Sequence, residues 1–187
     1  MFFDKEALFM KIAKTLLFAF TLMVLPMRVD AEELLHELKL GLLHHDTGGL
    51  WSGFNREGGA DVNAELIFNT SQPLWGGDVR PAIGASINSS GDTSKAYGAA
   101  KWETALGESG FFSLGVGAAV HTGDTKLEST DRKALGSKIL FYFPIEAGYR
   151  INEQDSVSVF FDHVSNAWLA SPNEGMDTLG IRYGYRF

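Results

Sequence analysis

The chain has 187 residues, 45% of them hydrophobic and 21% charged, with a formal net charge of -7. Such a length suits one domain with a real core or a small barrel, and the composition excludes both a disordered chain and a bundle of membrane helices. The acidic balance argues against nucleic acid as a partner, and the absence of cysteine excludes disulfides and thiol nucleophiles.

Residues 1–31 read as an export signal. Lys11 and Lys14 precede an apolar run from Leu16 to Leu25, and Val29-Asp30-Ala31 offers a cleavage site. The run falls short of the roughly 20 apolar residues of a membrane helix. Asp4 and Glu6 are foreign to a signal's basic start, so either Met10 is the natural initiator or residues 1–9 are a harmless extension. The mature domain is then 32–187.

From there the chain alternates with period two, segment after segment, between clusters of Gly, Asn, Asp and Ser. "HELKLGLLHH" places Leu38, Leu40 and Leu42 on one face, and "ADVNAELIFN" places Val62, Ala64, Leu66 and Phe68. "VRPAIGASIN" gives Val79, Ile83 and Ile87; "AYGAAKWET" is weaker, with Ala96, Ala100 and Trp102. "FFSLGVGAAV" follows with Phe112, Leu114, Val116 and Val120. "KILFYFPIEAGY" gives Ile139, Phe141, Phe143, Ile145 and Tyr149. "SVSVFFDH" is the seventh segment, and "DTLGIRYGYRF" the eighth, with Leu179, Ile181, Tyr183, Tyr185 and Phe187 in phase.

Eight segments of about ten residues, apolar on one face and small or polar on the other, predict an all-β fold. The expected architecture is an eight-stranded antiparallel transmembrane β-barrel of the outer-membrane type. A soluble sandwich or lipocalin-like barrel would also alternate. The aromatic-rich ending on Phe187 resembles the insertion signature of Gram-negative outer-membrane proteins, which favours the membrane form. Only a closed sheet leaves no backbone group unpaired in hydrocarbon, and eight strands enclose packed side chains rather than a channel. Loops around 46–58, 122–136 and 166–176 are long, whereas 106–109 and 151–154 are tight. The long loops are therefore expected outside the cell and the tight turns in the periplasm. "SQPLWGGD" is longer than a periplasmic turn should be.

In "SVSVFFDHVSNAWLASPNEGMD" the phase of Val157, Val159 and Phe161 continues through His163 and Ser165. Asp177 shares the phase of Leu179 and Ile181 on the following strand. Hairpin neighbours of equal phase approach within about 5 Å between Cβ atoms. A hydroxyl, an imidazole and a carboxylate would thus gather on the lipid-facing wall near the outer headgroups. A serine needs a base to become nucleophilic, and a carboxylate orients the imidazole that serves as one. Asn166, Asn173 and the backbone at Gly175 offer donors for an oxyanion. The alternative is an ordinary polar rim with no chemistry.

"HVSNAWLASPNEGMD" resembles the active-site segment of the PagL-type lipid A 3-O-deacylases, eight-stranded outer-membrane barrels that cleave an ester-linked hydroxyacyl chain from lipid A. The resemblance covers the last two strands closely and the rest of the barrel loosely. It implies His163 as base, Ser165 as nucleophile, Asp177 as orienting acid, Asn173 as oxyanion donor and Asn166 in support. The family pattern carries Glu where this chain has Asp177; Glu174 is the other candidate acid. The implied function is a serine esterase of the outer membrane that removes the 3-position acyl chain of lipopolysaccharide from the external leaflet. It would use no cofactor and no metal. A silent structural or adhesive barrel and a phospholipase are the rival readings, and a homodimer is compatible with all three.

Elsewhere, His44 and His45 are adjacent on a strand and point to opposite faces, which suits a polar rim better than a metal site. Asp61, Asn63, Glu65 and Lys101 are expected to form an interior network. The loop with Lys126, Arg132 and Lys133 reads as solvated. Trp51, Trp75, Trp102 and Trp168 suit interfacial girdles, with Trp168 and Leu169 also placed to touch an acyl chain.

Overall fold

The computed structural model describes residues 34–187; the export signal expected over 1–31, with its candidate start at Met10, lies outside the described residues. Nine strands follow in order: β1 (Leu35–His44), β2 (Ala60–Phe68), β3 (Gln72–Leu74), β4 (Gly77–Asn88), β5 (Lys95–Leu106), β6 (Gly110–His121), β7 (Ile139–Arg150), β8 (Asp155–Ser165) and β9 (Met176–Arg186). The eight long ones pair antiparallel around a closed circuit, because β2 bonds to β4 and β1 bonds to β9. Both edges of all eight long strands are thereby engaged, as the alternation predicts.

The ninth strand explains the overlong connection. β3 folds onto the start of β4, with Gln72 opposite Val79. Trp75 and Gly76 turn the hairpin with φ of 47° and 78°. Positive φ at both central residues is the geometry that a twisted two-residue hairpin requires.

Polarity in the wall is inverted relative to a soluble protein. Leu40, Leu42, Val62, Ile83, Val116, Val159 and Ile181 are exposed, while Glu37, Lys39, Glu65, Lys101, Glu146 and Arg182 are buried inside. A sheet with apolar residues outside and charges within is built for a hydrocarbon solvent. This observation separates the barrel from the soluble sandwich.

The interior charges pair with one another. Glu65 accepts from Lys101 (2.7 Å) and Arg182 (2.6 Å), and Glu146 accepts from Lys39 (2.9 Å), Lys101 (3.0 Å) and Ser158 (2.6 Å). Lys39 lies over the ring of Phe111 and Arg182 over Phe160. Tyr97 stacks on Tyr142 at 4.2 Å between centroids. Gly84 makes room for that stack, since a Cβ there would meet the Tyr97 ring at 2.5 Å. The expected interior network is present but splits by height. Asn63 instead donates to Ser86 and Tyr97, and Asp61 belongs to a separate cluster at the loop end.

That loop-end cluster corrects two expectations. His45 is fully buried rather than at an open rim, with Nδ1 on Asp61 (2.8 Å) and Nε2 on Glu57 (3.0 Å). His44 points the other way and meets Thr47 Oγ1 (2.9 Å). Lys133 is likewise buried, not solvated: its Nζ pairs with Asp46 (3.1 Å) and donates to the Phe54 carbonyl (2.6 Å). The loops close over the barrel mouth, so these groups exchange water for one another.

Candidate active site

Register fixes the site. On β8, His163 stands directly opposite Asp177 of β9 and Phe143 of β7, with Ser165 opposite Phe141. The register of β8 runs without a shift from Ser156 to Ser165, so His163 and Ser165 keep the phase of Val157 and Val159, as the alternation predicts. His163 Nδ1 and Asp177 Oδ1 are 2.6 Å apart. An ionised carboxylate only accepts, so Nδ1 carries the proton and Nε2 keeps its lone pair.

The pair is not bare to lipid. His163 is 4% exposed and Ser165 8%, because the loop after β1 folds back over the wall. Trp51 stacks on the imidazole at 4.3 Å between centroids and 10° between planes. The indole stays largely exposed, so the stack adds a contact that the girdle expectation does not include. Ser52 N donates to the second Asp177 oxygen, Oδ2 (2.7 Å), and Thr47 N donates to the Asp177 carbonyl (2.8 Å). Both carboxylate oxygens are therefore occupied, one by the imidazole and one by a backbone amide.

A cavity of about 630 Å³ opens beside the pair, lined by Trp51, Phe143, His163, Ser165, Trp168 and Asn173 among others. No hydrogen bond engages the Ser165 hydroxyl among the described residues. Gly175, with φ of 63°, lies against the imidazole; a Cβ there would sit 3.0 Å from Cε1 and 3.6 Å from Nε2. The absent side chain leaves the Nε2 edge open to the cavity.

The loop from 166 to 175 is held by Asn166. Its Nδ2 donates to the carbonyls of Leu135 (3.0 Å) and Pro172 (2.8 Å), and its backbone N donates to Asn173 Oδ1 (2.9 Å). These bonds offset two consecutive left-handed residues, Ala167 (φ 51°) and Trp168 (φ 64°), each costing about 1 kcal/mol. Asn166 thus shapes the loop instead of facing the cavity. Asn173 spends its oxygen on that loop and keeps its amide N–H groups, at the cavity wall, for another acceptor. Glu174 is occupied elsewhere: Oε2 takes the Ala134 N–H (2.6 Å) and Oε1 pairs with Arg56 (3.3 Å).

Residues 54–186 match the PagL family, described as lipid A 3-O-deacylase. The chain belongs to that family. It is 28% identical over 145 residues to the lipid A deacylase PagL of Bordetella bronchiseptica, which spans 78% of this chain and 74% of the relative. The crystal structure of the outer membrane enzyme PagL superposes with a TM-score of 0.58 at 23% identity, covering 80% of this chain and 99% of that one. That likeness shows the fold, an eight-stranded antiparallel barrel of the outer-membrane type. The Yersinia pestis outer membrane protein Ail aligns over 81% of this chain and 99% of its own, with 10% identity and a TM-score of 0.47.

In this member of the PagL family, an Asp at 177 is long enough to reach His163. Direct pairing of His163 with Asp177 across the hairpin removes the need for an extra methylene. Trp51 and Ser52, which cover the pair, left no trace in the strand pattern. They lie in a loop 125 residues from Asp177, where phase carries no information.

Proposed function

We propose that the protein is an outer-membrane serine esterase that removes the ester-linked 3-hydroxyacyl chain from the 3-position of lipid A. Ser165 is the nucleophile, His163 the base and Asp177 the acid that orients it. As Ser165 Oγ attacks the acyl carbonyl carbon, its proton passes to His163 Nε2 and an oxyanion forms. Asn173 Nδ2 is placed to donate to that oxygen, with Asn166 and Gly175 shaping the loop that presents it. Collapse breaks the bond to the sugar 3-oxygen, which leaves with the proton from His163. Water then attacks the acyl-enzyme by the same route, releasing a 3-hydroxy fatty acid and restoring Ser165. The cycle calls on no metal or cofactor.

One observation carries this reading. The 2.6 Å His163–Asp177 pair lies on the outer wall, with its free nitrogen edge and Ser165 on one cavity. A lipid reaches an outer wall without leaving the bilayer, whereas a site in the lumen would be closed to it. Trp168, 83% exposed and lining the cavity, and the next residue Leu169, 81% exposed, suit contact with acyl chains. The long loops beside the site support placing it at the external leaflet.

The test is mass spectrometry of lipid A from cells expressing the wild type or Ser165→Ala. The wild type should shorten the population by one 3-hydroxyacyl chain and the variant should not. Identical patterns from the two proteins would refute the assignment.

A further inference from the structure

We propose that Trp51 and Ser52 are positioning residues of the esterase, a role that rests on the Ser165–His163–Asp177 reading. The Trp51 indole holds the plane of the imidazole, and the Ser52 N–H locks the rotation of the Asp177 carboxylate. A carboxylate held through one oxygen can swing about its terminal bond and lose its alignment with Nδ1. With Oδ1 on His163 and Oδ2 on Ser52 N, that torsion is fixed at both ends. Parallel stacking at 4.3 Å fixes the remaining freedom, rotation of the ring out of the Asp177 plane. It also sets a π face against a ring that becomes cationic during each proton transfer.

The loop is built to hold these two residues still. Asp46 Oδ2 accepts from Arg56 N (2.6 Å) and Glu57 N (3.1 Å), closing the segment on itself. Lys133 ties both ends of it, through Asp46 and the Phe54 carbonyl. Phe143 supports the indole from β7 at 5.6 Å between centroids. The family match begins at residue 54, so Trp51 and Ser52 precede the matched span.

The alternative is that Trp51 merely contacts an acyl chain with its open face, and steady-state kinetics separate the two roles. Barrels purified in detergent and shown folded by their heat-dependent gel mobility are assayed on lipid A. Trp51→Leu should lower kcat about tenfold with KM within twofold, as expected for lost alignment rather than lost binding. Trp51→Phe, which keeps an aromatic face on the ring, should recover most of the rate. Ser52→Pro, lacking the N–H, should lower kcat by about tenfold or more, and Ser52→Ala, which retains it, should recover. A raised KM at unchanged kcat in Trp51→Leu, or wild-type kinetics, would overturn the inference even if Ser52→Pro fails to fold. Ser52→Ala as impaired as Ser52→Pro would overturn the carboxylate lock. An inactive Ser165→Ala beside a fully active Trp51→Leu sinks this inference alone; an active Ser165→Ala sinks the esterase reading with it.

Discussion

Replacing Asp177 by Asn removes one charge and keeps the shape, so it isolates what the acid does. When His163 is protonated, the N–O separation of 2.6 Å brings about 6 kcal/mol of gross attraction at an effective dielectric near 20. Both side chains are almost completely buried, so little of this is lost to solvent. A neutral amide keeps a hydrogen bond, which leaves a net loss of about 4 kcal/mol in the transition state, or about a thousandfold in kcat. The geometry adds a second effect with the same sign. Ser52 N can only donate, so it selects the amide oxygen of Asn and turns the NH₂ toward His163. Nδ1 must then accept, Nε2 carries the proton, and the imidazole can no longer take one from Ser165. Purified Asp177→Asn should therefore fold normally and show kcat about a thousandfold down with little change in KM. Glu174→Gln, whose carboxylate is tied to Ala134 and Arg56, should lose far less. Activity of Asp177→Asn within tenfold of wild type would refute the orienting role.

Three further outcomes are expected. Gly175→Ala places a methyl 3.0 Å from His163 Cε1 at a φ of 63°, so kcat should drop about tenfold for a stability cost of about 1 kcal/mol; an unperturbed kcat would contradict the packing. Burial alone would lower the His45 imidazolium, but the hydrogen bonds and charges of Asp61 and Glu57 overcome it and raise the pKa from 6.5 to about 9. The stabilisation is thus complete below about 6.5 and lost as pH rises through about 9. Limited proteolysis should cut the 45–59 loop faster at alkaline pH, and equal rates at neutral and alkaline pH would argue against the protonated cap. Glu146→Leu takes one of two acidic partners from each of Lys39, Lys101 and Arg182, leaves the lumen one negative charge short and should cost about 3–5 kcal/mol, read as a lower urea midpoint; an unchanged midpoint would mean that the network rearranges.

What the sequence makes legible here is whatever depends on period-two phase within a hairpin. His163 and Asp177 are 14 residues apart across one connection, and equal phase on adjoining strands suffices to predict that they meet. The same rule places Glu65 and Lys101 indoors and Val159 and Ile181 outdoors. It fails where a contact depends on how the sheet closes or how a loop folds back. His45 shows the failure plainly: phase correctly turns it away from His44, but its burial depends on Asp61 at the head of β2 and on Glu57, which a loop brings over the mouth and Thr93 holds there. Asn166 shows another form of it, since a side-chain amide beside Ser165 suggests an oxyanion donor until its backbone partners are known.

Trp51 and Ser52 are the hardest of all to read from phase, yet closure contains the clue. An eight-stranded barrel must pair its first strand with its last, and here His44 stands opposite Leu179. Antiparallel register then brings the residues just after His44 to the head of β9, where Asp177 lies two residues before Leu179. The Thr47 N–H on the Asp177 carbonyl is that continuation of the ladder. A loop leaving β1 has to pass Asp177, and any aromatic side chain and free amide early in it become candidates to cover the His163–Asp177 pair. The neighbours of a site on the last hairpin should therefore be sought at the far end of the chain, where the barrel seam returns them.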